Sequence, residues 1–165
     1  MNAEELRALQ GPIKQRYRDD PAAARIVSRA VAVLDQANVA ARIEGREGAA
    51  VAGLHPAAGG DGSLACSADM LLEALVGCAG VTFCAVATAS GVTIRSGRVI
   101  AECVWDARGT LGVDRAVPVA VTDVSVRFEI DSDATPEKLA RMVETAERYC
   151  VVLQTLRTPP RVTIG

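Results

Sequence analysis

The longest uncharged run in the chain limits its fold more than any other feature. From Ala74 to Ile94, 21 consecutive residues carry no Asp, Glu, Lys or Arg. A run of that length could cross a bilayer as a helix. Its content argues for a helix buried in a folded protein instead. Gly77, Gly80, Thr82, Thr88, Ser90, Gly91 and Thr93 interrupt it, it lacks an aromatic belt, and Asp69 and Glu73 sit upstream in the same predicted helix. A helix apolar on all sides is expected inside a core, and a chain of 165 residues can build one domain around it. No membrane association is expected.

Composition narrows the function. Half of the residues are hydrophobic and 23% are charged, which excludes a disordered chain. Aromatic residues make up 3%, too few for the stacking platforms that hold single-stranded nucleic acid. Eighteen basic and 20 acidic residues leave a net charge of −2 and no basic stripe, so no nucleic-acid partner is expected. The five cysteines, at 66, 78, 84, 103 and 150, form no CxxC pair, and His55 is the one histidine. Neither a zinc finger nor a CxxC redox motif can be written, and no metal or cofactor is expected. The odd count, a charged N-terminal segment and the lack of a secretory apolar region predict reduced thiols in the cytoplasm.

Patterning predicts an α+β domain with the element order α-βββ-α-ββ-α-β. Residues 1–20 read as an amphipathic helix with Leu6, Leu9 and Ile13 on one face, ended by Asp19-Asp20-Pro21. A three-stranded meander follows over 24–34, 39–44 and 51–54. The glycine-rich stretch from His55 to Ser63 lacks the lysine and spacing of a phosphate loop, and reads as a flexible connector. Ser67 is the expected N-cap of a helix over 68–90, with Gly91 just past its end. Strands are predicted over 98–105 and 119–130. Thr135-Pro136-Glu137 then starts a helix whose apolar stripe holds Leu139, Met142, Val143, Ala146, Cys150 and Leu153. Pro159-Pro160 stops further helix, and 161–164 reads as a last short strand.

Taken alone, Cys78 and Cys150 read as inert core thiols, because free cysteine is among the most buried residue types. The surrounding segments say more. The run Asp69-Met-Leu-Leu-Glu-Ala-Leu-Val-Gly-Cys78-Ala-Gly-Val-Thr82 resembles the first cysteine helix of the OsmC/Ohr family, the osmotically inducible and organic hydroperoxide resistance proteins. The run from Leu139 to Val152, through Cys150, is similar to the second. The likeness spans residues 22–165 and leaves the helix over 1–20 as an addition.

The resemblance implies an intertwined homodimer with two central helices packed against antiparallel sheets. It also implies a thiol-dependent peroxidase acting on organic hydroperoxides. Cys78 would be the peroxidatic thiol and Cys150 the resolving one, with an external dithiol reductant reopening their disulfide. Cys78 lies about ten residues into its helix, beyond the reach of that helix's own dipole, so a cation from elsewhere is expected to stabilise the thiolate. The family uses an arginine from its N-terminal strands, held by an acid just before the cysteine helix. Arg25, Arg29, Arg42 and Arg46 are available, and Arg29 and Arg42 rank first because they lie in predicted strands. His55 is a weaker alternative.

Asp69 stands where the hydroperoxide enzymes usually carry a Pro-Glu pair. Glu73 is turned about 140° from Cys78 around the helix, whereas Thr82 shares its face. Val151 replaces the proline that usually follows the second cysteine. Cys66, Cys84 and Cys103 match no family position and read as core or surface thiols. These departures keep a second expectation open: a non-catalytic dimer binding an apolar or thiol-containing small molecule at the subunit interface.

Overall fold

The computed structural model describes residues 2–20, 32–35, 40–43 and 51–165. Contacts divide the chain into two compact units, one made of Met1–Ile26, Ala74–Ile100 and Val126–Gly165, the other of Val27–Glu73 and Ala101–Ser125. Helix α1 (Ala3–Asp19) opens the first unit. Its start is fixed by a capping box: the Asn2 side chain accepts from the N–H groups of Glu4 and Glu5, while Glu5 accepts from the Asn2 backbone. The expected apolar face exists, yet Leu9 and Ile13 are 59% and 48% exposed.

The second unit holds a four-stranded sheet of β1 (Ala32–Asp35), β2 (Ala40–Ile43), β3 (Val51–Gly53) and β4 (Ala65–Cys66). The first three strands pair antiparallel, which is the predicted meander, although the start of its first strand lies outside the described residues. The two-residue β4 was not expected; it pairs parallel to β3 through Ala52 with Ala65 and Gly53 with Cys66. The stretch from His55 to Ser63 is built rather than loose. His55 Nδ1 accepts from the Ala57 N–H at 3.0 Å and caps a single 3₁₀ turn, Pro56–Ala58. Gly60 is required there, because a Cβ would lie 1.8 Å from the Leu54 carbonyl oxygen. Asp61 then accepts from both the backbone and the hydroxyl of Ser63.

Helix α2 (Ser67–Ala89) carries the uncharged run. Its C-terminus closes as a Schellman motif: the Val92 N–H bonds the Ala87 carbonyl, the Gly91 N–H bonds that of Thr88, and Gly91 sits at φ +63°. Strands β5 (Ile94–Trp105) and β6 (Val121–Ser132) form a two-stranded sheet, with the short helix α3 (Ala107–Thr110) in the connection. In the first unit, Arg95 pairs with Asp131 and Arg98 with Glu129, so the two strands run antiparallel. Val119, predicted as the start of the second strand, lies outside it and is 69% exposed.

The core of the first unit is Phe83, Ala87, Val92, Met142 and Ala146, with Phe128, Ile130 and Leu139 packed against it. Phe83 and Phe128 meet with ring centroids 5.5 Å apart. Leu75, Ala79, Phe83 and Ala87 recur every four residues and are the buried stripe of α2. The helix is not buried all round, as its composition suggested: 22% of its most apolar stretch is covered in the single chain, and Val81 is 73% exposed.

The last helical segment also departs from expectation. Instead of one helix through Leu153 there are two, α4 (Pro136–Tyr149) and α5 (Val151–Arg157), separated at Cys150, whose backbone is extended at φ −76°, ψ 105°. The break is tied across. The Gln154 side chain donates to the Glu147 carbonyl at 2.8 Å, and Arg157 pairs with the Glu147 carboxylate at 3.1 Å. Residues 161–164 form no strand; Val162 and Ile164 are 77% and 93% exposed, and a strand needs a neighbour to pair with.

Candidate functional site

Both cysteines singled out by the sequence lie in the first unit, and they meet. Cys78 is half-buried on α2 and Cys150 is fully buried at the joint between α4 and α5; both are free thiols. The buried stripe of α4, Met142 and Ala146, carries Cys150 inward, while the break at Cys150 starts a new helix beside it. The first N–H groups of a helix have no partner within that helix. At the start of α5, those of Val151 and Val152 act on the Cys78 sulfur.

The balance on Cys78 follows from these neighbours. Burial is the largest influence and pushes its pKa up. It is outweighed by the Val152 N–H, the donating Cys150 thiol and the Val151 N–H, so the Cys78 thiol is held below its ordinary value. Thr82 contributes least, and its hydroxyl donates to the Cys78 carbonyl at 2.7 Å. Cys150 moves the other way. Burial pushes it up, the Leu153 N–H opposes, and the adjacent Cys78 sulfur adds to the rise. One thiol is thus biased toward thiolate and its neighbour toward the protonated form, which donates to it.

Among the described residues, the groups that lower the Cys78 thiol are backbone N–H groups at the start of α5 and the Cys150 thiol, with the Thr82 side chain last. Arg25, Arg29 and Arg46 lie outside the described residues. Arg42 is placed in β2, opposite Val33 and Val51. Asp69 is exposed in the first turn of α2, where a carboxylate complements the helix N-terminus. Thr82 shares the face of Cys78, as its spacing predicted. His55 is occupied in capping its turn and packs edge-on against Trp105 at 5.1 Å. Cys66 and Cys103 are half-buried and Cys84 is exposed, all three as free thiols. Among the described residues no cluster of His, Cys, Asp or Glu could hold a metal ion.

The sequence matches the family model of OsmC-like proteins over residues 60–165, well over half of the chain and including both cysteines. The chain belongs to the OsmC-like family. Solved structures agree on the fold. An OsmC-like protein from Mycoplasma pneumoniae superposes with a TM-score of 0.68 at 16% identity, covering 81% of this chain and 89% of that one. An OsmC-like protein of unknown function from Vibrio cholerae gives 0.60 at 15% identity, covering 78% and 94%. An organic hydroperoxide resistance protein OsmC from Legionella pneumophila, described as a predicted redox protein, gives 0.58 at 12% identity, covering 81% and 93%. No curated protein is similar enough in sequence to count as a match. The α+β, OsmC-like architecture expected from the sequence is therefore the one the chain adopts.

Proposed function

We propose that this OsmC-like protein is a thiol-dependent peroxidase that reduces organic hydroperoxides with Cys78 and Cys150. The observation that carries the reading is the opposed bias of the two thiols at one joint. The Val151 and Val152 N–H groups help hold the Cys78 thiol below its ordinary value, while burial and the Cys78 sulfur push the Cys150 thiol up. A thiolate is the nucleophile needed to attack an O–O bond, and a neighbouring thiol is what resolves the product.

In the first step the Cys78 thiolate attacks the terminal oxygen of ROOH. The O–O bond breaks, the terminal OH passes to sulfur to give the Cys78 sulfenic acid, and the alkoxide takes up from solvent the one proton that Cys78 released on ionising, leaving as ROH. In the second, Cys150 sulfur attacks the Cys78 sulfur. The S–O bond breaks, and the Cys150 proton leaves with the hydroxyl as water, giving a disulfide. An external dithiol then returns two electrons and two protons. Such a cycle suits a reducing compartment, the cytoplasm, where that reductant is replenished.

The same reading makes the protein a homodimer. It is supported by the uncovered face of α2, where Val81 is exposed and a Cβ on Gly77 would meet nothing within 4 Å, leaving room for a second helix. An arginine, Arg29 or Arg42, with Asp69 would add a cation to the N–H groups already facing the sulfur.

The test is turnover of cumene hydroperoxide with dithiothreitol as reductant. The native chain consumes it catalytically. Cys78→Ser abolishes consumption, and Cys150→Ser allows one turnover before the sulfenic acid requires direct reduction. Full activity in Cys78→Ser, or no consumption by the native chain, refutes the peroxidase. A chain without turnover that still binds cumyl alcohol after Cys78→Ser replacement is instead the non-catalytic binding dimer.

A further inference from the structure

The joint that brings the two thiols together also shuts one of them away. We propose that α5 is a redox-responsive flap: it encloses Cys150 in the reduced chain and opens when the Cys78–Cys150 disulfide forms, exposing the Cys150 sulfur to the dithiol that reduces it. The inference rests on the peroxidase reading of the same two thiols.

The need for an opening follows from the direction of attack. An incoming thiolate binds one sulfur of a disulfide and expels the other, and the thiol of lower pKa leaves more readily. Cys78 is the lowered thiol and Cys150 the raised one, so Cys78 is the better leaving group and attack falls on Cys150. That sulfur is the inaccessible one: Cys150 is fully buried, whereas Cys78 is half-buried. A reductant therefore reaches it only after the joint has opened.

Helix α5 is the element built to move. It has seven residues, far fewer than a helix needs to hold itself in water, and none of them is fully buried. Helix α4 on the other side of the joint is anchored by Met142 and Ala146, both fully buried. Among the described residues, the side chains of α5 make their polar ties to α4 at Glu147 alone. Gln154 donates to its carbonyl at 2.8 Å, and Arg157 pairs with its carboxylate at 3.1 Å in an exposed contact of small value. The Val151 and Val152 N–H groups add their bonds to the Cys78 sulfur. Oxidation weakens that last set. A disulfide sulfur is uncharged and a weak acceptor, and the two sulfurs must draw together to bond, moving the residue from which α5 starts. Once α5 is open, the first thiolate of the dithiol attacks the Cys150 sulfur, the S–S bond breaks and Cys78 leaves as a thiolate. The second thiol then attacks the mixed disulfide and releases Cys150 as a thiol. Two electrons pass to the protein, and the reductant ends as a disulfide.

Hydrogen exchange read by peptide mass spectrometry tests the opening. The full chain is compared fully reduced and after oxidation with one equivalent of diamide, which joins two thiols without any peroxide chemistry. Amides of residues 154–158 are expected to exchange on the order of tenfold faster in the disulfide form, with those of residues 139–149 unchanged. Gln154→Leu, which removes one tie, is expected to let dithiothreitol reduce the disulfide roughly fivefold faster than in the native chain.

The proposal is overturned if α5 exchanges no faster when oxidised, if α4 loosens to the same degree, or if Gln154→Leu is reduced at the native rate. It is equally overturned if diamide yields no Cys78–Cys150 disulfide. A chain that forms the disulfide with diamide yet consumes no cumene hydroperoxide loses the peroxidase reading alone, and its exchange rates still decide whether α5 opens.

Discussion

Replacing Val151 by proline isolates the role of the α5 N-terminus at the thiol. The substitution fits the backbone. Val151 is the first residue of α5, where proline's fixed φ is suited and its ring meets no preceding helical turn. Cys150 already has the extended conformation that a residue before proline adopts, and the Val151 side chain is 71% exposed, so little packing is lost. What disappears is the Val151 N–H, one of the donors that lower the Cys78 pKa.

A hydrogen bond to a charged group contributes about 1.5–3 kcal/mol, and the lower end applies to a half-buried sulfur sharing several donors. About 1.4 kcal/mol corresponds to one pKa unit, so the Cys78 thiol should titrate about one unit higher and its alkylation at neutral pH should slow. The assay is the rate of Cys78 alkylation by iodoacetamide at pH 7, followed by peptide mass spectrometry. Val151→Ala retains the N–H and should alkylate at the native rate. Thermal stability of Val151→Pro should be unchanged or raised by up to ~1 kcal/mol, since proline restricts the unfolded chain. If Val151→Pro alkylates as fast as the native protein, the backbone donors do not set the reactivity of Cys78. If Val151→Ala slows it equally, the effect belongs to the side chain.

Three further outcomes follow. Because the Cys78 thiol is lowered and Cys150 raised, the midpoint of the alkylation pH profile should be lower for Cys78 than for Cys150, and identical midpoints would contradict the opposed bias. Gln154→Leu removes the bond to the Glu147 carbonyl that ties the helix break; it should cost about 1 kcal/mol in urea denaturation and slow Cys78 alkylation, whereas a loss of stability with native reactivity would limit Gln154 to a structural role. Phe83→Ala empties the centre of the first unit's core and should cost about 3–5 kcal/mol, while a loss below about 1 kcal/mol would mean that the core around Phe128 is not where the structure puts it.

The cysteine positions and the helical frame were legible because their signals are local. Thr135 caps α4 at the Lys138 N–H, Pro136 opens it, and Gly91 ends α2, each as the sequence predicted. The backbone donors beside Cys78 were not legible. Cys150 fits the apolar stripe of a continuous helix, and the following valines give no stop signal. A proline at 151, as the family usually has, would have marked a helix start; Val151 occupies the same N1 position without announcing it. The stretch from His55 to Ser63 misled for a related reason. Its glycines suggested flexibility, but Gly60 serves close contact with the Leu54 carbonyl, which depends on what the loop folds against. The expected strand at 161–164 has a strand-like pattern and no strand beside it, and pattern alone does not supply a neighbour.

The central claim is that Cys78 reacts with a hydroperoxide and Cys150 resolves it. Exposing the fully reduced chain to a substoichiometric amount of cumene hydroperoxide, followed by rapid alkylation and peptide mass spectrometry, tests both halves together. The account predicts a Cys78–Cys150 disulfide in the native chain and a trapped Cys78 sulfenic acid in Cys150→Ser, with Cys66, Cys84 and Cys103 still alkylated. Unmodified Cys78 and Cys150, or oxidation that begins at any of the other three cysteines, would contradict it.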